Sequence, residues 1–268
     1  MHARVSVSAI CTFNWPLDQD LAFYDEAGIT NVGVSVAKLE AFGFDEGVTR
    51  VVDAGLRVDD LIGLRSFDLA APGRWDEQRS RLVRCIDAAV TLGARSMVFT
   101  TGPAGTLTWE EAADRLVEAL GNVLDYSREQ GVRFAIEHTN SLRVDVGFVH
   151  TLADVMDLAR RLDAGVCMET NACWAERGLG ETVRARADRL ALVQVSDYKV
   201  GTHSTPNRFV PGDGVIPFPR ILGQVLEAGY QGVFDLELIG PAIEHEGYAS
   251  SVRRSVDALG AILDDLGA

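Results

Sequence analysis

The chain has 268 residues, of which 47% are hydrophobic and 24% are charged, and its formal net charge is −14. This length suits one (β/α)₈ barrel, which typically takes about 250 residues, so we expect a single domain over 1–268. The negative charge argues against nucleic acid or an anionic membrane surface as a partner, because both bind basic patches.

The same sequence predicts where the protein is found. No apolar run approaches the roughly 18 residues of a membrane span, and the first residues lack the pattern of a signal peptide. The cysteines Cys11, Cys85, Cys167 and Cys173 show no Cys-x-x-Cys spacing. We therefore expect a cytoplasmic protein with reduced thiols.

Short hydrophobic strands alternate with helical patterns along the whole chain. The expected strands are Val5–Ile10, Asn31–Ser35, Asp60–Leu64, Ser96–Thr100, Arg133–Glu137, Gly165–Glu169, Leu190–Val195 and Val233–Glu237. The expected helices run from about 18 to 28, 45 to 54, 75 to 92, 108 to 130, 151 to 162, 181 to 187 and 217 to 228, with a closing helix through Val252 and Ile262.

Strict alternation of strands and helices predicts an α/β fold with a parallel sheet and outer helices. An open, doubly wound sheet is the alternative, but no Gly-x-Gly-x-x-Gly follows the first strand. The sequence therefore favours a single closed (β/α)₈ TIM barrel.

Four consecutive strands end in a side chain that carries an oxygen donor: Glu137, Glu169, Gln194 and Glu237. In a parallel barrel the C-terminal strand ends converge on one face, and that face carries the chemistry. Crowded carboxylates repel one another unless a cation lies between them, and hard oxygen donors suit Mn²⁺ or Mg²⁺. We therefore predict one metal site formed by these four residues. The alternative is that each is a solvated surface residue.

With these motifs the chain resembles the xylose isomerase-like TIM barrels, which include sugar-phosphate isomerases and ketose 3-epimerases. The likeness is carried by strands that match the family's metal-ligand strands and by one loop that is similar to its Arg-x-x-Pro-Gly-x-Gly loop: Phe134–Glu137, Val166–Thr170, Val193–Asp197, Asn207–Gly214 and Gly229–Glu237.

Two positions depart from the family pattern. Gln194 stands where the family usually has a metal-binding His, and Ala172 stands where sugar epimerases tend to carry a substrate-contacting His. A degenerate site without metal is therefore the alternative to a metal centre.

Four residues are expected to contact the substrate: Arg208, His203, Lys199 and Trp174. Arg208 matches the family loop and suits a hydroxyl or carboxylate group, whereas His203 and Lys199 lie in the long loop after the seventh strand. Trp174 closely follows Glu169. For each of them, the alternative is an exposed or packing residue.

Three further polar residues have structural alternatives. His138 follows Glu137, but strand alternation points it to the other face, so a structural role is expected. Asp197 is a weaker candidate for substrate contact. Asp235 points the same way as Glu237 but one layer deeper, and we expect it to have a partner, with Arg133 as a suggestion.

The resemblance implies a metal-dependent isomerase or epimerase acting on a small carbohydrate-like molecule through an enediolate, with Glu137 and Glu237 as the acid/base pair. The alternatives are a lyase or dehydratase on a keto-sugar, glycoside or polyol-like substrate, and a non-catalytic binding protein. A DNA-repair enzyme fits poorly, because the first four strands offer Cys11, Ser35, Arg65 and Thr100 instead of His ligands. The oligomeric state stays open, and a homo-oligomer is compatible with the sequence.

Overall fold

The computed structural model describes residues 1–64 and 66–268, so Arg65 lies outside the described residues. Eight parallel strands close into a barrel in chain order. They are β1 Val5–Ser8, β2 Asn31–Ser35, β3 Arg57–Leu64, β4 Ser96–Thr100, β5 Arg133–Glu137, β6 Gly165–Glu169, β7 Leu190–Val195 and β8 Phe234–Leu236. The predicted (β/α)₈ barrel is confirmed.

Helices follow each strand and surround the barrel. They are α1 Leu17–Ala27, α2 Val36–Phe42, α3 Phe44–Asp53, α4 Trp75–Leu92, α5 Trp109–Leu120, α6 Val123–Glu129, α7 Leu152–Leu162, α8 Thr170–Cys173, α9 Leu179–Ala185, α10 Phe218–Glu227, α11 Pro241–Glu246 and α12 Tyr248–Asp265. Within the described part of the chain, none of them combines the length and the apolar character that a bilayer crossing demands.

Several element boundaries differ from the expectation, and two of them have clear local reasons. The strand expected over Val5–Ile10 stops at Ser8, because the Ser8 side chain accepts a hydrogen bond from the backbone N of Ile10 and starts a 3₁₀ turn over Ala9–Thr12. The single helix expected after β4 is two helices, since Gly121 adopts a positive φ of 52° between them. Glycine adopts this conformation without the strain of a Cβ.

Alternating strand residues divide the core into two parts. Outward residues such as Phe134 and Met168 pack in the layer between barrel and helices. The inward residues form a small apolar layer inside the barrel: Ile62, Val98, Ala135, Cys167, Leu192 and Val233. Side chains repeat on one face every two residues, so the positions that follow this layer also point to the barrel axis. Glu137, Glu169 and Glu237 occupy such positions.

Candidate metal and acid/base site

Three carboxylates meet at the C-terminal end of the barrel. Glu137 ends β5, Glu169 ends β6, and Glu237 directly follows β8. One carboxylate oxygen from each lies within 4.8 Å of the others, and all three side chains are buried. The structure thus brings together three residues that are separated by a hundred positions of chain.

One guanidinium lies against this cluster. Arg208 Nη1 donates to Glu169 Oε2 at 2.5 Å, to Glu237 Oε2, and to the backbone O of Glu237 at 3.2 Å. Its backbone N also donates to Ile239 O at 2.9 Å, which ties its loop to the end of β8. Arg208 therefore contacts two of the three carboxylates and is one cation beside three acidic groups.

Burial and mutual repulsion raise the pKa of two of these acids, Glu137 and Glu169. Burial, together with the nearby Glu237 and Glu169, raises the pKa of Glu137 well above its usual range. Burial also raises the pKa of Glu169 to about 8, although Arg208 acts in the opposite direction. Burial lowers the pKa of Arg208, but the three carboxylates outweigh it and raise that pKa above its ordinary value.

The loop that carries Arg208 is organised by Asp197. Its carboxylate accepts hydrogen bonds from four backbone N–H groups, those of Tyr198, Gly212, Gly214 and Ile216, at 2.8–3.1 Å. A Cβ at Gly214 would lie 2.3 Å from the Tyr198 carbonyl oxygen, so this tight path requires glycine. Asp197 shapes the loop rather than facing the cavity.

Glu169 is held by two neighbours. Its backbone N donates to His138 Nε2 at 3.2 Å, and its Oε1 accepts from the backbone N of Asn171 at 2.8 Å. Burial lowers the pKa of His138 to about 3, so the ring is a neutral acceptor. His138 thus points away from the cavity, as strand alternation indicated, and orients the strand end that carries Glu169.

Gln194 is in register with Glu169 on β6, but its amide oxygen is bound by Cys167. It is fully buried, its Oε1 accepts from Cys167 Sγ at 3.1 Å, and its Nε2 has no hydrogen-bond partner among the described residues. On β8 its register partner is Asp235, two residues before Glu237. To bind an ion among the carboxylates, its amide oxygen must leave Cys167.

Two more acids lie inside the barrel below the site. Asp60 and Asp235 are fully buried, and neither carboxylate has a hydrogen-bond partner within 1–64 and 66–268. The expectation of Arg133 as a partner for Asp235 is wrong, because Arg133 donates to the carbonyls of Leu190 and Asp188 instead. Burial is the main cause that raises the pKa of Asp60 to about 8 and that of Asp235 well above its usual range.

Three of the predicted substrate residues lie away from the carboxylates. A cavity of about 450 Å³ opens above Glu137, Glu169 and Glu237, and Arg208 lines it with them. Lys199 instead lies 3.9 Å from Asp213 and over the Phe209 ring. His203 is exposed on its loop, and Trp174 packs against Tyr198 with ring centroids 6.0 Å apart. None of these three lines the cavity, and their role in substrate binding stays a prediction.

Sequence reasoning missed several polar residues of the cavity wall. Asn140, Arg143 and Asp145 follow β5 and line the cavity, as does Asn171 after β6. Arg143 and Asp145 form an ion pair at 3.0 Å. Their position just after the strand ends was an available signal, since the loops at this face of a barrel build its active sites.

The donor set fits a divalent cation. Carboxylate oxygens are hard ligands of the kind that Mg²⁺ and Mn²⁺ prefer, and three of them within 4.8 Å match a shared ion. Arg208 supplies one positive charge to three carboxylates. An ion that binds Glu169 Oε2 and Glu237 Oε2 therefore requires Arg208 to give up these two contacts.

Comparisons with known proteins match the fold described above. A family model described as xylose isomerase-like TIM barrel matches residues 21–258. A protein of Sinorhizobium meliloti 1021 has the same fold with a TM-score of 0.86 and 22% identity, over 97% of this chain and 98% of that one.

Two further solved structures carry functional names. The IolI protein, whose structure holds a zinc atom, has a TM-score of 0.81 and 16% identity over 98% of this chain and 99% of its own. The 3-keto-D-glucoside 4-epimerase from E. coli has a TM-score of 0.74 and 17% identity over 97% of this chain and 99% of its own. At such identities the likeness to solved structures shows the fold alone.

Proposed function

Because this chain belongs to the xylose isomerase-like TIM barrel family, we propose that it is a metal-dependent isomerase or epimerase acting on a sugar or a related hydroxy-carbonyl compound. The observation that carries the proposal is the meeting of the Glu137, Glu169 and Glu237 carboxylates within 4.8 Å at the mouth of the barrel. Epimerases among the proteins of the same fold support the reaction class.

Glu137, Glu169 and Glu237 would hold the ion, with Gln194 as the proposed fourth ligand once its amide leaves Cys167. All-oxygen ligation favours Mn²⁺ or Mg²⁺. When bound, such an ion polarises a carbonyl group and makes the neighbouring C–H more acidic.

The protein's own residues would then move the proton. Glu137 and Glu237 approach the cavity from strands separated by β6 and β7, so they can face opposite sides of one substrate carbon. One of them removes the proton to give an enediolate, and the other returns a proton. Return to the opposite face gives epimerisation, whereas return to the neighbouring carbon gives isomerisation. Arg208, once displaced from the carboxylates, can donate to a substrate oxygen.

Exchange in D₂O tests the proposal. The Mn²⁺-loaded protein is incubated with a panel of ketoses and 3-keto-glycosides, and products are read by NMR and mass spectrometry. We expect one deuterium at the epimerised or isomerised carbon and otherwise unchanged mass. Loss of water or of an aglycone would identify a lyase instead, and the absence of both exchange and Mn²⁺ binding would support a non-catalytic binding protein.

A matched pair of variants tests the acid/base role. Glu137→Gln removes the proton carrier with little change in shape, and we expect turnover to fall by at least about 10³-fold. Glu129→Gln makes the same change at an exposed position of α6 and should leave turnover unchanged. Circular dichroism and the melting temperature verify that both variants are folded. Substantial activity in folded Glu137→Gln would refute the assignment.

A further inference from the structure

The cavity above the carboxylates has two unlike walls. Its polar wall comes from strand ends and loops after β5 to β8, with Glu137, Glu169, Asn171 and Arg208 among its residues. The opposite wall comes mainly from β3, β4 and the residues that follow β1. It is mostly apolar, with Ile10, Phe13, Ile62, Leu64 and Val98.

The few polar groups on the apolar side bind one another. Ser66 Oγ and Thr100 Oγ1 lie 3.0 Å apart within hydrogen-bonding distance, and both line the cavity. A ligand hydroxyl on this side would have to compete with that bond. A free sugar, which carries hydroxyl groups on all sides, would leave some of them against hydrocarbon, and unpaired buried hydroxyls are unfavourable.

The turn that precedes Phe13 in the apolar wall is anchored by hydrogen bonds. Phe13 directly follows the 3₁₀ turn over Ala9–Thr12. Thr12 is fixed at the end of this turn, because Lys38 Nζ donates to its carbonyl O at 2.8 Å and its hydroxyl donates to Asp20 at 2.7 Å. Yet the Phe13 side chain is 53% exposed, so an aromatic surface is open at the mouth of the cavity.

The cavity is larger than a hydroxy-carbonyl group bound at the polar wall would fill. Cavities of roughly 300–1,000 Å³ hold drug-sized ligands, and this cavity of about 450 Å³ belongs to that class. A hydroxy-carbonyl group seated on the carboxylates therefore leaves space along the apolar wall for a second part of the ligand.

We propose that the substrate carries an apolar substituent, an aryl or alkyl group of the aglycone kind, that lies against Ile10, Phe13 and Leu64 while its hydroxy-carbonyl part faces the carboxylates. This inference rests on the proposed function for the position of the hydroxy-carbonyl part. It defines the substrate class as an amphipathic keto-glycoside or a related hydroxy-carbonyl compound with an apolar substituent.

The test compares two probes on the Mn²⁺-loaded protein, phenyl β-D-glucopyranoside and methyl β-D-glucopyranoside, by calorimetric titration. We expect the phenyl compound to bind at least about tenfold more tightly, since an apolar ring leaves water for an apolar wall. Equal affinities, or no measurable binding of either probe, would overturn the inference. So would tighter binding of glucose 6-phosphate than of the phenyl compound, because that points to a phosphorylated sugar.

Variants locate the effect. Phe13→Ser and Ile10→Thr change exposed or half-buried side chains of the apolar wall, and together they should reduce the preference for the phenyl compound to about threefold or less. Leu142→Ser removes a large hydrophobic side chain that is 65% exposed and does not line the cavity, so it should keep the full preference. An unchanged preference in the wall variants would assign the phenyl group to another place and overturn the inference.

The same samples separate this inference from the proposed function. Deuterium exchange without any preference for the phenyl compound would defeat the substrate class and leave the reaction standing. A clear phenyl preference that is lost in the wall variants, in a protein that neither binds Mn²⁺ nor exchanges deuterium, would defeat the reaction and leave the apolar subsite standing.

Discussion

Two clusters of buried charged groups in this protein are built in opposite ways. In the first, Lys38 Nζ donates to Asp20 Oδ2 at 2.6 Å, to Thr12 O at 2.8 Å and to Thr12 Oγ1 at 3.1 Å. The three N–H groups of the ammonium meet three acceptors, and one positive charge meets one negative charge. In the second, Arg208 contacts two of three crowded carboxylates.

The difference separates a structural cluster from a candidate functional one. A charge pair with complete hydrogen bonds needs nothing more, so the Asp20–Lys38 pair is explained by the 3₁₀ turn that it holds. Excess buried negative charge is unfavourable unless a cation or protons compensate it. Arg208 alone does not compensate the three carboxylates of Glu137, Glu169 and Glu237. This supports a role for the cluster in binding a cation and moving protons.

The largest effect on stability is expected where the complete pair is broken. Lys38→Met leaves Asp20 buried without its cation, and we expect the free energy of unfolding to fall by about 3–5 kcal/mol at pH 7. Adding Asp20→Asn should recover a substantial part of that loss. Urea denaturation measures both.

An exposed pair provides the control. Arg50 and Asp18 form an ion pair at 3.1 Å in which the side chains are 54% and 57% exposed. Arg50→Met should cost no more than about 1 kcal/mol, because surface ion pairs contribute little. If Lys38→Met were as mild as Arg50→Met, the contrast between complete and incomplete clusters would have no energetic basis.

A smaller effect on stability is expected at the cluster of Glu137, Glu169 and Glu237. Arg208→Met removes the cation that Glu169 and Glu237 share, so we expect a loss of about 1–3 kcal/mol at pH 8 without metal. The loss should shrink at pH 5, where Glu169, whose pKa burial raises to about 8, takes up a proton in place of the guanidinium. Chemical denaturation at the two pH values measures this.

The Mn²⁺ affinity of the Arg208→Met variant should exceed that of the unaltered protein. Arg208 and an ion compete for the same carboxylate oxygens, and removal of one competitor commonly changes the affinity of the other by about 5-fold or more. Tighter Mn²⁺ binding by Arg208→Met than by the unaltered protein, measured by calorimetry, is the expected result. Weaker binding would mean that Arg208 helps to build the metal site instead of competing for it.

The strand ends of this site could be predicted, and the contacts between its loops could not. Glu137, Glu169 and Glu237 follow from hydrophobic strands of period two that stop at an acid, which is a local pattern. Arg208 reaches two of them from 39 and 29 residues away. Nothing in the local sequence specifies that contact, because it depends on how Asp197 folds the intervening loop around its carboxylate.

The contacts of a side chain with the neighbouring strands were equally hard to predict. Gln194 and Glu237 both belong to runs that end in an oxygen donor, yet Gln194 is in register with Glu169 on β6 and with Asp235, not Glu237, on β8. Register between strands is set by the whole barrel and not by either strand alone. The sequence therefore identified the residue types of the site better than their contacts across strands.

The smallest effect is expected at Asp60. Unlike the two clusters, it has no cation among the described residues that bonds to its carboxylate. Burial, then Asp59 and Glu237, raises the pKa of Asp60 from 3.8 to about 8. The folded protein therefore binds a proton that the unfolded chain has already lost between these two pH values, so the contribution of Asp60 to stability declines as the pH rises from about 4 to about 8.

Asp60→Asn removes this proton uptake while it keeps the size of the side chain beside Gly33, where a Cβ would lie only 2.8 Å from Asp60 Oδ1. We expect the variant to be more stable than the unaltered protein by at least about 1 kcal/mol at pH 8 and nearly equal to it at pH 4. Paired denaturation curves across this pH range give the difference directly. A variant that is less stable at pH 8 would show that the ionised Asp60 carboxylate is compensated inside the barrel. It would point to a cation bound below the three glutamates.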